Sequence, residues 1–293
     1  MKVLLFGADG FIGNTVLGAL RGEHEVVGAI RSDVPDEGYV LVDLLDRASI
    51  SAAIKQVKPD IIISCAGVVE NTEKADANPV FTGNILDEAK ASGLVFKRIV
   101  ISGSAAEFGL VDPSNIPVNE DAPLNANAGY GLSKVREEQV ALAADGLPVV
   151  VARIFNPIGS AMHPRFLIPK LISQLEEVKA GERDAVEVSR LDSKRDYIDV
   201  RDVASAIISI ATGEPTERVY NVGSGVATSN GELIELILEE LKLDTKPAFV
   251  ETSESPEALV AIQADISRIK DEFGWSPAYD IKDTVKEIVD APR

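Results

Sequence analysis

The chain has a single cysteine, Cys65, and two histidines, His24 and His163, among its 293 residues. One cysteine excludes an internal disulfide, and one cysteine with two histidines falls short of an ordinary zinc site. Cationic side chains are also scarce, with 29 Lys and Arg against 47 Asp and Glu and a net charge of -18. A nucleic-acid partner is therefore not expected, because phosphate backbones are held by clustered Lys and Arg. No apolar run approaches the ~18 residues that a membrane helix needs. Met1-Lys2 leads straight into "VLLFGA", with no basic region or cleavage site around it, so a cytoplasmic protein is expected. Low-complexity linkers and repeats with a period of ~20–50 residues are missing as well.

What is present is an ordinary globular balance, 45% apolar and 26% charged, over a length sufficient for a large core. The first half alternates nearly continuous apolar strands with helical patterns. The strands are "KVLLFGA" (2–8), "EVVGAI" (25–30), "DIIISCAG" (60–67), "RIVISGS" (98–104) and "PVVVARIF" (148–155). Between them, 46–57, 79–93 and 131–144 read as helices. Strands apolar on both faces belong to a covered parallel sheet, so the pattern predicts an α/β, doubly wound Rossmann fold with ligands at the carboxyl edge of the strands. After Asn156 come an amphipathic helix (165–181), a short strand (185–189), a helix (201–212), a strand (218–224) and helices at 230–242 and 266–275. We expect residues 1–156 and 196–222 to form the Rossmann domain, and 157–195 with 223–293 to form a smaller, α-rich substrate-binding portion. The charge is uneven: residues 153–201 carry nine basic and eight acidic side chains, net +1, leaving -19 for the remainder. Such a segment suits a small anion or is simply a solvated helix face.

"GADGFIG" places Gly7, Gly10 and Gly13 after the first strand and at the start of a helix. Glycines there allow a tight turn and a close backbone approach to a pyrophosphate, which the helix N-terminus favours. Dinucleotide binding follows. An acid normally ends the second strand to hold the adenosine ribose, but here Ile30 takes that place and Arg31 follows. A guanidinium suits a 2′-phosphate, which favours NADP(H) over NAD(H); the alternative is a solvated Arg31 with Asp33 on the ribose. "YGLSK" sets Tyr130 and Lys134 four residues apart, about one helical turn, so both leave the same face. A free phenol has a pKa near ~10, and a neighbouring ammonium stabilises its anion and brings it toward the working range of an acid or base. Alone, that spacing also fits a surface tyrosine near a surface lysine.

The loop spacing, "ISGSAAEFG" ending at Gly109, and "YGLSK" together resemble the extended, sugar-nucleotide branch of the short-chain dehydrogenase/reductase superfamily. The resemblance implies Ser104, Tyr130 and Lys134 as the catalytic set, with Asn78 in support. It implies cofactor contacts from Gly7, Gly10, Phe11, Ile12 and Gly13, from Asp43 and Leu44, from Cys65, Ala66 and Gly67, and from Phe155, Tyr130 and Lys134. "RIFNPIG", "SKRDYIDVRDVASAI", "VYNVGSG" and "FGWSP" are similar in order to GDP-4-keto-6-deoxymannose reductases and related nucleotide-sugar 4-ketoreductases. That likeness implies substrate contacts from Ser104, Asn156, Arg195, Arg190 and Lys170, and a homodimer through a four-helix bundle of the helices at 79–93 and 131–144. Dehydratases of this kind carry an acid among the two residues after the motif's Ser or Thr, and here those are Ala105 and Ala106. The expectation is an NADP(H)-dependent reductase of a nucleotide-linked 4-keto-6-deoxysugar. An NAD-dependent nucleotide-sugar 4-epimerase is the alternative, and a non-catalytic NADP sensor or scaffold is a third reading.

Overall fold

The computed structural model describes residues 1–32, 37–243, 247–252 and 261–291; Asp33 lies outside them. The chain begins with β1 (Lys2–Phe6), α1 (Phe11–Leu20), β2 (Glu25–Ile30), β3 (Tyr39–Leu41), α2 (Arg47–Val57), β4 (Ile61–Ser64) and α3 (Ala77–Ala91). It continues through β5 (Arg98–Ser104), α4 (Gly129–Leu142) and β6 (Val149–Ile154). Seven parallel strands form the main sheet in the order β10-β6-β5-β4-β1-β2-β3, β10 being Val219–Val222. Alternation along each strand divides its side chains between two cores. Val3, Leu5, Ile61 and Ile63 face α1 and α6 (Val200–Thr212), whereas Leu4, Phe6 and Ile62 face α2, α3 and α4. Each fully buried Ile or Leu contributes about 1.5–3 kcal/mol, which is why β4, with all four residues buried, sits mid-sheet.

The order reverses between β1 and β4, which puts the ligand edge of such a sheet at the carboxyl ends of these two strands. Local chemistry fixes the helix ends around it. Asp46 caps α2 by accepting the N–H of Ala48 at 2.9 Å, and Asp199 caps α6 by accepting that of Arg201 at 2.8 Å.

Beyond β6 the chain forms β7 (Asn156–Ile158), α5 (Leu167–Lys179), β8 (Ala185–Val188) and β9 (Lys194–Asp199) before α6 and β10. β9, read from the sequence as part of a return to the main sheet, pairs instead with β7 and with β11 (Ala227–Ser229). There follow α7 (Asn230–Leu241), β12 (Ala248–Glu251), which pairs with β8, then α8 (Ser267–Phe273) and α9 (Ile281–Asp290). Leu171, Ile172 and Leu175 of α5 share a third core with Leu233, Ile234 and Ile237 of α7 and Val285 of α9. Asp196 of β9 is fully buried, and its carboxylate accepts the N–H groups of Ser224, Gly225 and Ala264 at 2.7, 3.0 and 2.9 Å, tying the tail to the sheet edge. Among the described residues no helix is long and apolar enough to cross a membrane. Nor do three His, Cys, Asp or Glu side chains gather there as a metal site.

Candidate active site

The glycine loop needs its glycines. A Cβ on Gly13 would lie 1.9 Å from the Gly7 carbonyl oxygen, and one on Gly7, at φ +73°, would lie 2.7 Å from the Ala66 nitrogen. The loops after β1 and β4 therefore touch backbone to backbone. α1 starts at Phe11 with no side-chain cap and no acid in its first turn, so its first N–H groups are unopposed by a local anion. An open helix start lined by glycine backbone fits the diphosphate of a dinucleotide.

A cleft of about 1030 Å³ runs from this loop to the tail. Of the residues expected at the cofactor, Gly10, Phe11, Ile12, Cys65, Ala66, Gly67 and Phe155 line it, together with Ser104, Tyr130, Lys134, Asn156 and Arg195. Gly7 and Gly13 sit behind it in the turn, while Arg31 is exposed at the end of β2 and Ile30 is buried in the core. Asp43 accepts the Leu45 N–H at 2.9 Å, and the Leu44 carbonyl accepts from Asn84 at 2.8 Å; neither is on the cleft wall. Arg190 is paired with Asp192 at 2.6 Å and Lys170 is on the exposed side of α5, so the structure does not bring these two to the wall. Asn156 donates to the Asp196 carbonyl at 3.0 Å, and Arg195 donates to Ser193 Oγ at 2.7 Å.

Ser104 ends β5, and its Oγ accepts the Ala106 N–H at 3.2 Å. Tyr130 and Lys134 share one face of α4. The Lys134 ammonium is buried and donates to the Ser102 carbonyl at 2.6 Å and to Glu137. Burial opposes its charge, but Glu137 above all, with Tyr130 and Glu107, holds its pKa above the usual lysine value. Glu137 is in turn held by Thr82 of α3 at 2.7 Å. Asn78, also on α3, donates to Ser133 Oγ at 3.1 Å and accepts the Val68 N–H at 2.7 Å, joining α4 to the loop after β4. Cys65 is not a nucleophile here, since burial pushes its thiol up to about 11.

Under the cleft floor, Arg153 of β6 makes a forked pair with Glu138 at 2.7 and 2.6 Å and donates to the Glu120 carbonyl at 2.7 Å. The Glu120 carboxylate meets Arg268 of α8 at 3.5 Å. Glu107, fully buried, accepts the Ser104 N–H at 2.6 Å. Burial, then the neighbouring Glu138, pushes its carboxyl well above the usual range, while Arg153 at 3.4 Å pulls the other way. Glu137 thus pairs with Lys134, Glu138 with Arg153 and Glu120 with Arg268. Sequence reasoning missed Glu137, Thr82 and Asn71, whose side chain accepts the Tyr130 N–H at 3.0 Å. Only the i,i+3 spacing of Lys134 and Glu137 was available as a signal.

A doubly wound sheet whose glycine loop, Ser104, Tyr130 and Lys134 converge on one cleft defines an enzyme of the extended short-chain dehydrogenase/reductase type. The chain belongs to the NAD dependent epimerase/dehydratase family, whose model matches residues 3–223. It is thus an NAD(P)-dependent enzyme of a family that modifies nucleotide sugars. It is 28% identical to the GDP-6-deoxy-D-mannose reductase of Pseudomonas aeruginosa, over 98% of this chain and 96% of that one. The solved structure of RMD from Pseudomonas aeruginosa complexed with NADPH superposes with a TM-score of 0.82 at 26% identity, covering 99% of this chain and 98% of the other. The UDP-glucose-4-epimerase of Stenotrophomonas maltophila, with bound NAD and formylated UDP-arabinopyranose, gives 0.84 at 25% identity, covering 99% and 97%.

Proposed function

We propose that the protein is an NADP(H)-dependent reductase of a nucleotide-linked 4-keto-6-deoxysugar. The observation that carries this reading is the end of β2, where Ile30 is buried in the core and exposed Arg31 follows. A guanidinium there meets a 2′-phosphate, and an apolar residue at 30 does not repel it. The likeness to a reductase along nearly the whole chain supports the same reading. Dehydration is disfavoured by the residues after Ser104: Ala105 and Ala106 carry no acid, and Glu107 is committed to the Ser104 N–H beneath the floor.

The loop from Gly7 to Gly13 would hold the cofactor diphosphate, and Lys134 and Tyr130 its nicotinamide ribose. When bound, the reduced nicotinamide would supply the hydride to the carbonyl carbon and be left oxidised as NADP. Tyr130 gives its phenolic proton to the substrate's carbonyl oxygen, and Ser104 Oγ donates a hydrogen bond to the same atom. Lys134 steadies the tyrosinate left behind. Asn156 and Arg195, both on the cleft wall, would meet the substrate diphosphate. α3 and α4 pack side by side, and Val80 of α3 is 46% exposed; a second copy joined there as a four-helix bundle completes the proposed assembly.

A panel of GDP-, dTDP-, UDP- and CDP-linked 4-keto sugars, assayed with NADPH and with NADH, tests the proposal. Turnover with NADPH and release of NADP at each cycle are expected. Stoichiometric NAD in the purified protein, with interconversion of sugar epimers, would replace it with the epimerase reading.

A further inference from the structure

Lys134 has three N–H donors, and two are already spent inside the protein, on the Ser102 carbonyl and on Glu137. One donor is left for the cleft. Glu137 is itself 2% exposed, and its second oxygen is fixed by Thr82 across the α3–α4 contact. The carboxylate cannot swing away to solvent, so the ammonium beside Tyr130 carries a permanent counter-charge.

We infer that Glu137 is a positioning residue for Lys134, aiming its remaining N–H into the cleft and offsetting its charge so that Tyr130 keeps its proton to higher pH. The inference rests on the acid–base role proposed for Tyr130 and deepens it. A reductase needs its phenol protonated, whereas an unpaired ammonium would favour the phenolate. The counter-charge therefore biases the site toward proton donation.

The other groups facing this pair leave Glu137 as the effective partner. On α4, Glu138 is occupied by Arg153 of β6. On the turn after β5, Glu107 is engaged by the Ser104 N–H and by Arg153 at 3.4 Å, and burial pushes its carboxyl well above the usual range. On the loop after β4, the Cys65 thiol stays neutral, its pKa pushed up to about 11 by burial. α3 contributes only the uncharged Asn78 and Thr82 to the buried contact. Asp76 and Arg136 pair at 3.5 Å on the solvent side, where water screens them.

Tyrosinate formation, followed by ultraviolet difference absorbance in the protein with and without NADP, reads the effect without any sugar substrate; subtracting Tyr130→Phe isolates Tyr130 among the five tyrosines. Glu137→Gln keeps the side-chain shape and removes the charge. The Tyr130 midpoint should then fall by about one pH unit, the size expected for one neighbouring charge. Thr82→Val, which frees one oxygen of Glu137, should move it the same way by less. An unmoved midpoint in folded, NADP-binding Glu137→Gln overturns the inference. If that variant does not fold, an unmoved midpoint in Thr82→Val does so instead. A purely structural Glu137 would lower the melting temperature alone. Failure of the sugar panel with a shifted midpoint would sink the reductase reading and leave the inference standing.

Discussion

Asn71 accepts the backbone N–H of Tyr130 at 3.0 Å, from a loop 59 residues earlier in the chain. α4 has no cap of its own, because its N-cap residue is Ala128. The cap comes from the loop beyond β4, and it sits on the residue whose hydroxyl is proposed to move the proton. Asn71→Ala should remove about 1 kcal/mol of stability and lower kcat by roughly tenfold, since small misplacements of a reacting group are costly. Asn71→Asp, which keeps the acceptor, should restore most of both. Thermal unfolding and steady-state kinetics on the three proteins check this.

Tyr130→Phe removes the donor and leaves the ring. NADPH binding, followed by fluorescence, should stay near normal while kcat falls by ~10²–10⁴, the range of general acid–base catalysis. Retained turnover would require another proton donor in the cleft.

Arg31→Ala should weaken NADPH by roughly 10–100-fold, the loss of a charge-assisted contact, and leave NADH unchanged. Parallel titrations with the two cofactors separate the outcomes. Equal weakening of both would assign Arg31 to general packing.

Glu107 gives a pH signature of its own. Burial raises its folded-state pKa well above the ordinary glutamate value of 4.5, so the native state holds this proton more tightly than the unfolded chain does. Its stabilisation is complete below pH 4.5 and is lost as pH rises toward the folded pKa. Glu107→Gln, a neutral mimic of the protonated acid, should flatten that fall in melting temperature across the range from mild acid to neutrality. An unchanged slope would mean that Glu107 is ionised in the native enzyme.

β2 and β5 were legible to the residue, because unbroken apolar runs between turn signals leave few alternatives. The glycine loop was legible for a similar reason: its tightest constraint is local, a Cβ on Gly13 against the Gly7 carbonyl oxygen. β7 and β11 were not read, being three residues each and defined only by partners far along the chain. Glu137 and Thr82 are 55 residues apart and meet only when α3 and α4 pack. Nothing in either segment alone distinguishes that glutamate from one facing solvent. Charge pairing under the floor was hidden likewise, since Arg153, Glu138 and Glu107 come from three separate elements.

Arg268 reaches Glu120 from the tail, and the same segment flanks Val118: the Val118 N–H donates to the Gln263 carbonyl and its carbonyl accepts from Asp265, both at 2.8 Å. Ile262 and Ala264 pack against Ala105, Phe108 and Phe155. The stretch after residue 261 is thus a wall of the catalytic half as well as a part of the tail. The tail cannot be swapped as an independent cassette: a chimaera joined just after β10 would inherit a foreign foundation for Ser104. Grafts of the tail should therefore stop at residue 260 and resume after Arg268.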